Sequence, residues 1–205
     1  MIELMNLERL PSKKNYVYRD RDTIIKIFTD QHRFQTEKEM GDILRNSGLS
    51  TPVRLGVKEE RLEIVYNYIN GSPVVDLIDN TELARAEEIF DKICAWLVKF
   101  YSIILQKKGY QHILGDAHLR NFLYEEASNQ VYGLDFEECR PGRIETDAAR
   151  LYVFILHYDP AFTPRKKALA AFFWKTIAAS LALDETFFQQ EVMRETAELL
   201  ARRRR

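Results

Sequence analysis

Cysteine is nearly absent from the chain: Cys94 and Cys139 are the two in 205 residues, with no metal-ligand spacing and no second pair. That argues against a disulfide framework and against a zinc site, and a reducing cytoplasm is the expected setting. Long apolar runs are missing too. Lys99 or Lys175 interrupts the most hydrophobic stretches before they reach the roughly 18 residues that a membrane span needs. The opening residues, Met1-Ile2-Glu3-Leu4, carry no basic region followed by an apolar core, so neither export nor membrane insertion is expected. Nor is there an excess of charge. Lys plus Arg number 30 against 31 Asp plus Glu, and 46% of residues are hydrophobic, which sets aside disordered, collagen-like and polyanion-binding classes. Glycine is scarce, and between Leu10 and Lys26 it does not occur at all.

What the chain does have is enough length for a core. At this size roughly 70% of the unfolded surface is removed on folding, and one domain or two cooperating lobes is the natural expectation. Tyr16-Val17-Tyr18 and Thr23 to Phe28 are rich in β-branched and aromatic residues around the polar Arg19 to Asp22, which predicts a hairpin. Asp30 is placed to cap a helix running to about Asn46, with Gly48 to end it. Val53 to Val57 and Leu62 to Tyr66 predict a second hairpin. Asn70-Gly71-Ser72-Pro73 is a turn cluster and marks the expected boundary between residues 1–70 and residues 71–205.

Beyond that boundary the periodicity becomes helical. Ala86, Ile89, Phe90, Ile93, Leu97, Phe100 and Ile104 recur every three or four residues and predict one long amphipathic helix stopping near Gly109. Two short β segments, Phe122 to Tyr124 and Val131 to Leu134, are followed by helical stretches at about 145–158, 164–182 and 185–203. Arg202 to Arg205 close the chain. Cations suit a helix C-terminus, and a contact with nucleic acid or an acidic partner is the sharper alternative.

The densest set of chemical groups is Leu114-Gly115-Asp116-Ala117-His118-Leu119-Arg120-Asn121, followed by Gly133-Leu134-Asp135-Phe136-Glu137. Asp116 and Asn121 fall in a loop after the long helix and Asp135 at the end of a short strand, an order that lets three oxygen-bearing side chains converge. Phosphoryl transfer needs such a set: hard oxygen ligands for a magnesium ion across the phosphates, and a carboxylate to orient the attacking group. On this reading Asn121 and Asp135 hold metal and Asp116 is the base or orienting group.

These residues, in this order, resemble the protein-kinase-like superfamily, especially aminoglycoside and choline-type phosphotransferases and small atypical kinases of the RIO and Bud32 kind. Asp116 and Asn121 match its catalytic-loop spacing, Asp135 its metal-binding Asp, and Asp135-Phe136-Glu137 is similar to the segment of choline-type kinases. The resemblance implies a bilobal α+β fold, with a small antiparallel sheet and one helix in the N-terminal nucleotide-binding lobe and a mainly helical C-terminal catalytic lobe. It also implies ATP with Mg2+ or Mn2+, and Lys26 as the phosphate-positioning lysine. Helix geometry then selects the partner of Lys26, because at 100° per residue Glu37 falls among Phe34, Met40, Gly41 and Leu44 whereas Glu39 points elsewhere.

The same resemblance implies an interlobe hinge at Asn67, Tyr68 and Ile69 that meets adenine. Asp147 is implied to brace the catalytic loop from a helix start. Where the superfamily has a glycine-rich phosphate loop this chain has Pro11-Ser12-Lys13-Lys14-Asn15, so Ser12 and Asn15 are the expected hydrogen-bonding groups. Only eleven residues separate Asp135 from Asp147, too few for the peptide-docking segment of ordinary protein kinases. A small molecule or an atypical protein is the expected acceptor. Phe172, Phe173, Trp174, Phe187 and Phe188 are candidates for an acceptor cleft, although aromatic residues at helical spacing belong to a core more often. The competing readings are a nucleotide-binding scaffold without turnover, for which the missing glycines speak, and a helical nucleic-acid binder using the terminal arginines.

Overall fold

The computed structural model describes residues 7–203; Met1-Ile2-Glu3-Leu4 at one end and Arg204 and Arg205 at the other lie outside them. Five strands, β1 (Glu8–Leu10), β2 (Tyr16–Asp20), β3 (Thr23–Ile27), β4 (Arg54–Lys58) and β5 (Glu63–Asn67), form one antiparallel sheet in the order β1-β2-β3-β5-β4. The hairpin between β2 and β3 turns at Arg21, whose φ of 52° is left-handed, and the Thr23 hydroxyl donates to the Asp20 carbonyl at 2.9 Å. Strand β1 has no signature of its own. It exists because the open edge of β2 offers it a ladder, with Leu10 opposite Val17.

Helix α1 (Gln31–Leu44) begins where the Asp30 carboxylate accepts the Arg33 amide at 2.9 Å, as an N-cap should. It ends two residues earlier than the sequence suggests, because Asn46 already takes a left-handed φ of 60° ahead of Gly48. Its buried stripe is Phe34, Glu37, Met40 and Leu44. Phe34 joins Phe28 and Ile64 in a small core under the sheet, the two rings meeting edge to face at 5.7 Å. Met40 and Leu44 reach the large core, so one helix is packed into both lobes.

The second lobe is mainly helical: α2 (Val74–Leu77), α3 (Leu83–Lys108), α4 (Ile144–His157), α5 (Pro164–Leu181) and α6 (Glu185–Arg203). The 26 residues of α3 give a rod of about 39 Å, and its predicted stripe from Ala86 to Ile104 is buried throughout. Gly109 stops it at φ 76°, its amide donating to the Leu105 carbonyl at 2.9 Å; the left-handed cap is the reason a glycine sits there. Against α3 lie β6 (Ser72–Pro73), β8 (Phe122–Glu125) and β9 (Gln130–Gly133), in the order β6-β8-β9. A two-stranded pair joins β7 (His112–Ile113) to β10 (Arg140–Pro141). The strands β6, β7 and β10, at two residues each, and the single turn of α2 are too short to leave a pattern in the sequence. Among the described residues no helix is long and apolar enough to cross a membrane.

Candidate functional site

Lys26, in the central strand β3, is flanked by Val17 on β2 and Ile64 on β5. Its ammonium lies 2.6 Å from Asp135 Oδ1, 2.9 Å from Glu137 Oε2 and 3.7 Å from Glu37 Oε2. Burial by itself would lower the Lys26 ammonium, but the carboxylates of Glu37, Asp135 and Glu137 outweigh it and hold it above its ordinary range. Burial also pushes the Glu37 carboxyl up, with Lys26 only partly offsetting it and Asp135 and Glu137 adding to it. Three carboxylates therefore crowd one ammonium, which leaves negative charge in excess.

Glu37 does more than face the lysine. Its Oε2 accepts the Phe136 amide at 2.7 Å and its Oε1 the Tyr66 hydroxyl at 2.9 Å, so α1 is tied both to the 135–137 segment and to β5. Glu39, as helix geometry requires, points away and pairs with Lys108 at 2.7 Å. Asp135 itself stands in the left-handed region, with φ 64°, at a cost of about 1–2 kcal/mol for a non-glycine residue. Packing of the next residue holds it there. The Phe136 ring lies nearly parallel to Trp96 and Phe100, with centroids 6.2 and 6.0 Å away.

The catalytic-loop candidates are held from three sides. Asp147, at the start of α4, is fully buried and accepts the amides of Leu114 (2.6 Å) and Gly115 (3.0 Å) and the Tyr101 hydroxyl (3.0 Å). Burial pushes its carboxyl up to about 6 despite those donors. Asn121 is linked to both neighbours. Its Nδ2 donates to the Asp116 carbonyl at 3.0 Å, and its own carbonyl accepts the Leu134 amide at 2.9 Å. That orientation uses the amide nitrogen and leaves Oδ1 as the free oxygen. Arg150 of α4 donates to the Gly115 carbonyl and reaches Asp116 Oδ1 at 3.5 Å. Its other face is clamped by the buried Glu195 of α6, at 3.1 and 3.2 Å.

Asn121 Oδ1 and the Asp135 carboxylate are hard oxygen donors of the kind magnesium takes, and the surplus of carboxylate around Lys26 is what a divalent cation would neutralise. The donor types present match the ion that the resemblance implied; among the described residues no group of three or more His, Cys, Asp or Glu side chains is placed to hold a metal. His118 stacks on Phe154 at 5.6 Å and stands 3.8 Å from Asp116 Oδ2. Burial holds its imidazole below the ordinary range, Asp116 opposing only in part.

The phosphate-loop candidates turn inward. Ser12 Oγ accepts the Asn15 amide at 3.3 Å. Asn15 is buried, donating from Nδ2 to Glu137 Oε2 at 2.5 Å and accepting the Thr29 amide at 3.4 Å. Next to it Lys14 pairs with Glu138 at 2.8 Å. The loop is thus fastened to the 135–138 segment by two side chains. At the hinge, the Asn67 amide donates to the Val53 carbonyl (3.0 Å) and the Tyr68 amide to the Asp22 carbonyl (2.8 Å). Arg19 covers the Tyr68 ring at 3.7 Å, and Ile69 is buried. The Asn67 and Tyr68 amides are thus both taken up within the protein.

Lys26, Glu37 and Asp135 meet at the Lys26 ammonium, while Asn121 ties the Asp116 carbonyl to the main chain of Leu134, next to Asp135. The structure does not bring in the aromatic residues of α5 and α6. Phe173 and Phe188 are buried, with Trp174 stacked on Phe188 at 3.6 Å and Phe173 edge-on to Phe90 at 6.3 Å. Phe187 lies under Arg143. These are core and surface packing, not a cleft. Sequence reasoning missed the contact of Glu137 with Lys26 and the Arg150 to Glu195 clamp. Glu195 had a signal: it falls on the stripe of α6 that also carries Phe188 and Val192.

No protein-family model matches the chain. Among curated proteins it is 26% identical over 148 residues to the EKC/KEOPS complex subunit BUD32 of Enterocytozoon bieneusi (strain H348), which covers 69% of this chain and 68% of that one. Among solved structures, the streptomycin-ATP-APH(2")-IIa ternary complex superposes with a TM-score of 0.69 at 12% identity, covering 97% of this chain and 84% of the other. The amicoumacin kinase hAmiN, in complex with AMP-PNP, Ca2+ and Ami, gives 0.64 at 15% identity over 93% and 80%. At these identities the likeness is one of fold.

Proposed function

We propose that this chain, which has the protein-kinase-like fold, is an ATP-dependent phosphotransferase that moves the γ-phosphoryl group to a hydroxyl. The observation that carries the reading is the network in which the Lys26 ammonium meets Asp135, Glu137 and Glu37 within 3.7 Å while Asn121 joins Asp116 to the same segment. Residues 1–70 would bind nucleotide and residues 71–205 would carry the catalytic loop, together one domain. Lys26, held by Glu37, aligns the phosphates, and Ser12 and Asn15 shape the loop over them. Asn67, Tyr68 and Ile69 border the base, while Asn121 and Asp135 hold magnesium, for which manganese can substitute.

Magnesium, when bound, neutralises charge on the phosphate oxygens. The protein's part is positioning and charge. The acceptor oxygen attacks the γ-phosphorus and a new O–P bond forms. The bond from that phosphorus to the β,γ-bridging oxygen breaks, ADP leaves with its electron pair, and the hydroxyl proton goes to Asp116. Asp135→Ala is the direct test. Loss of magnesium-dependent ATP turnover, with unfolding free energy within about 1 kcal/mol of the wild type because the removed ion pair is partly exposed, is the expected result. Full turnover in that variant removes Asp135 from the mechanism.

A second reading, a nucleotide-binding scaffold without turnover, is favoured by one feature. The glycine-free loop is fastened down by Asn15 to Glu137 and Lys14 to Glu138. Thermal stabilisation by Mg-ATP with no phosphate release would decide for it.

A further inference from the structure

The functional reading leaves one cluster unused. A cleft of about 250 Å³ opens beside Asp116, lined by Lys14, Gly115, Glu138, Arg140, Arg150 and Arg202. Four cations face two carboxylates there, and the local pairing is uneven. Lys14 is neutralised by Glu138 at 2.8 Å and Arg150 by Glu195. Arg140 makes only a hydrogen bond to the Glu138 carbonyl, at 3.2 Å. Its guanidinium lies against Gly115, where a Cβ would overlap it. Arg202, in the last turn of α6, reaches the same cleft, while its neighbour Arg203 is engaged elsewhere, donating to the His157 carbonyl at 2.6 Å. Among the described residues neither Arg140 nor Arg202 has a carboxylate partner. Two guanidinium groups without an ion-pair partner among the described residues therefore line the same cleft as the Asp116 carboxylate.

We propose that the acceptor is a small hydroxyl compound bearing a phosphate or carboxylate group, whose oxyanion is held by Arg140 and Arg202 while its hydroxyl faces Asp116. The proposal rests on the phosphotransferase reading and narrows its substrate. Guanidinium groups bind such oxyanions through paired N–H donors. The same charges disfavour a polycationic amino sugar in this cleft, because it would have to approach the guanidinium groups of Arg140, Arg150 and Arg202. Placing the oxyanion on the arginines also keeps it off Asp116, whose own negative charge would otherwise repel the acceptor. The terminal arginines that the sequence left between a dipole role and an anionic partner thus acquire a place: Arg202 is part of the acceptor cleft.

The test is a titration of inorganic phosphate and, separately, of acetate into the full chain saturated with Mg-AMP-PNP, with sodium chloride at matched ionic strength as control. Calorimetry or thermal shift is the readout. One of the two oxyanions is expected to bind without displacing the nucleotide, phosphate if the acceptor is phosphorylated and acetate if it is a carboxylate. Arg140→Gln and Arg202→Gln should each raise that Kd about tenfold, the loss of one charged hydrogen-bonding partner at an open site. Both side chains are exposed, so the variants keep the fold. Oxyanion binding that competes with AMP-PNP, that is as tight in both variants as in the wild type, or that does not exceed the chloride control overturns the proposal. Binding of spermine in this cleft, weakened by Asp116→Asn, overturns it as well. Failure of Mg-AMP-PNP itself to bind counts against phosphotransfer instead, and the oxyanion titration of the free chain still decides the anion site.

Discussion

Glu37 offers a separation of charge from hydrogen bonding. In Glu37→Gln the side chain keeps its shape: the amide oxygen can accept the Phe136 N–H now held at 2.7 Å, and the amide nitrogen can donate to the Tyr66 hydroxyl now at 2.9 Å. What disappears is one negative charge from a site where burial and two neighbouring carboxylates already disfavour it. Lys26 keeps Asp135 and Glu137. The unfolding free energy of Glu37→Gln should therefore lie within about 1 kcal/mol of the wild type. Glu37→Ala removes both acceptors from buried donors, at roughly 1–3 kcal/mol each, so a loss of about 4 kcal/mol is expected. Urea unfolding at pH 7, monitored by tryptophan fluorescence, reads both. The midpoint should move and the slope should not. A Gln variant as unstable as the Ala variant would refute the reasoning, since the ion pair with Lys26, and not the two hydrogen bonds, would then be what holds α1 to the 135–137 segment.

Other consequences can be measured on the same material. The Asp147 carboxyl, raised from 3.8 to about 6 in the folded chain, binds its proton more tightly folded than unfolded. Its contribution is therefore fully present below about pH 4 and is lost as pH rises through 6, up to about 3 kcal/mol in all. Comparing Asp147→Asn with the wild type by denaturation from pH 4 to 7 should show the wild type's advantage shrinking across that window, and a constant difference contradicts the assignment. At Gly133 a Cβ would overlap the Trp96 indole, so Gly133→Ala should cost about 1–3 kcal/mol by overpacking, read as a fall in Tm. Asp135→Ala, as set out above, should remove turnover and spare the fold.

Much of this molecule is legible in its sequence because much of it is local. A cap needs only Asp30 and the amide three residues on, and a helix stop only Gly109. The stripe of α3 is visible because 3.6-residue periodicity is a property of the chain and not of its neighbours. The same geometry distinguishes Glu37 from Glu39. Asp116, Asn121 and Asp135 could be picked out because their spacing along the chain is itself the signal, although spacing alone says nothing of what each side chain touches.

Tertiary structure decided the rest, and for one physical reason: the deciding contacts join residues far apart in the chain, where no periodicity or propensity registers them. Asn15 and Glu137 are 122 positions apart, and Arg150 and Glu195 are 45 apart. Strand β1 exists only because β2 has an edge, and β7 and β10 only because each supplies the other's ladder. Whether an arginine is neutralised or left to meet an anion depends on which carboxylate the fold sets beside it. Composition, balanced at 30 against 31, hides the local surplus beside Asp116 that the folded chain creates.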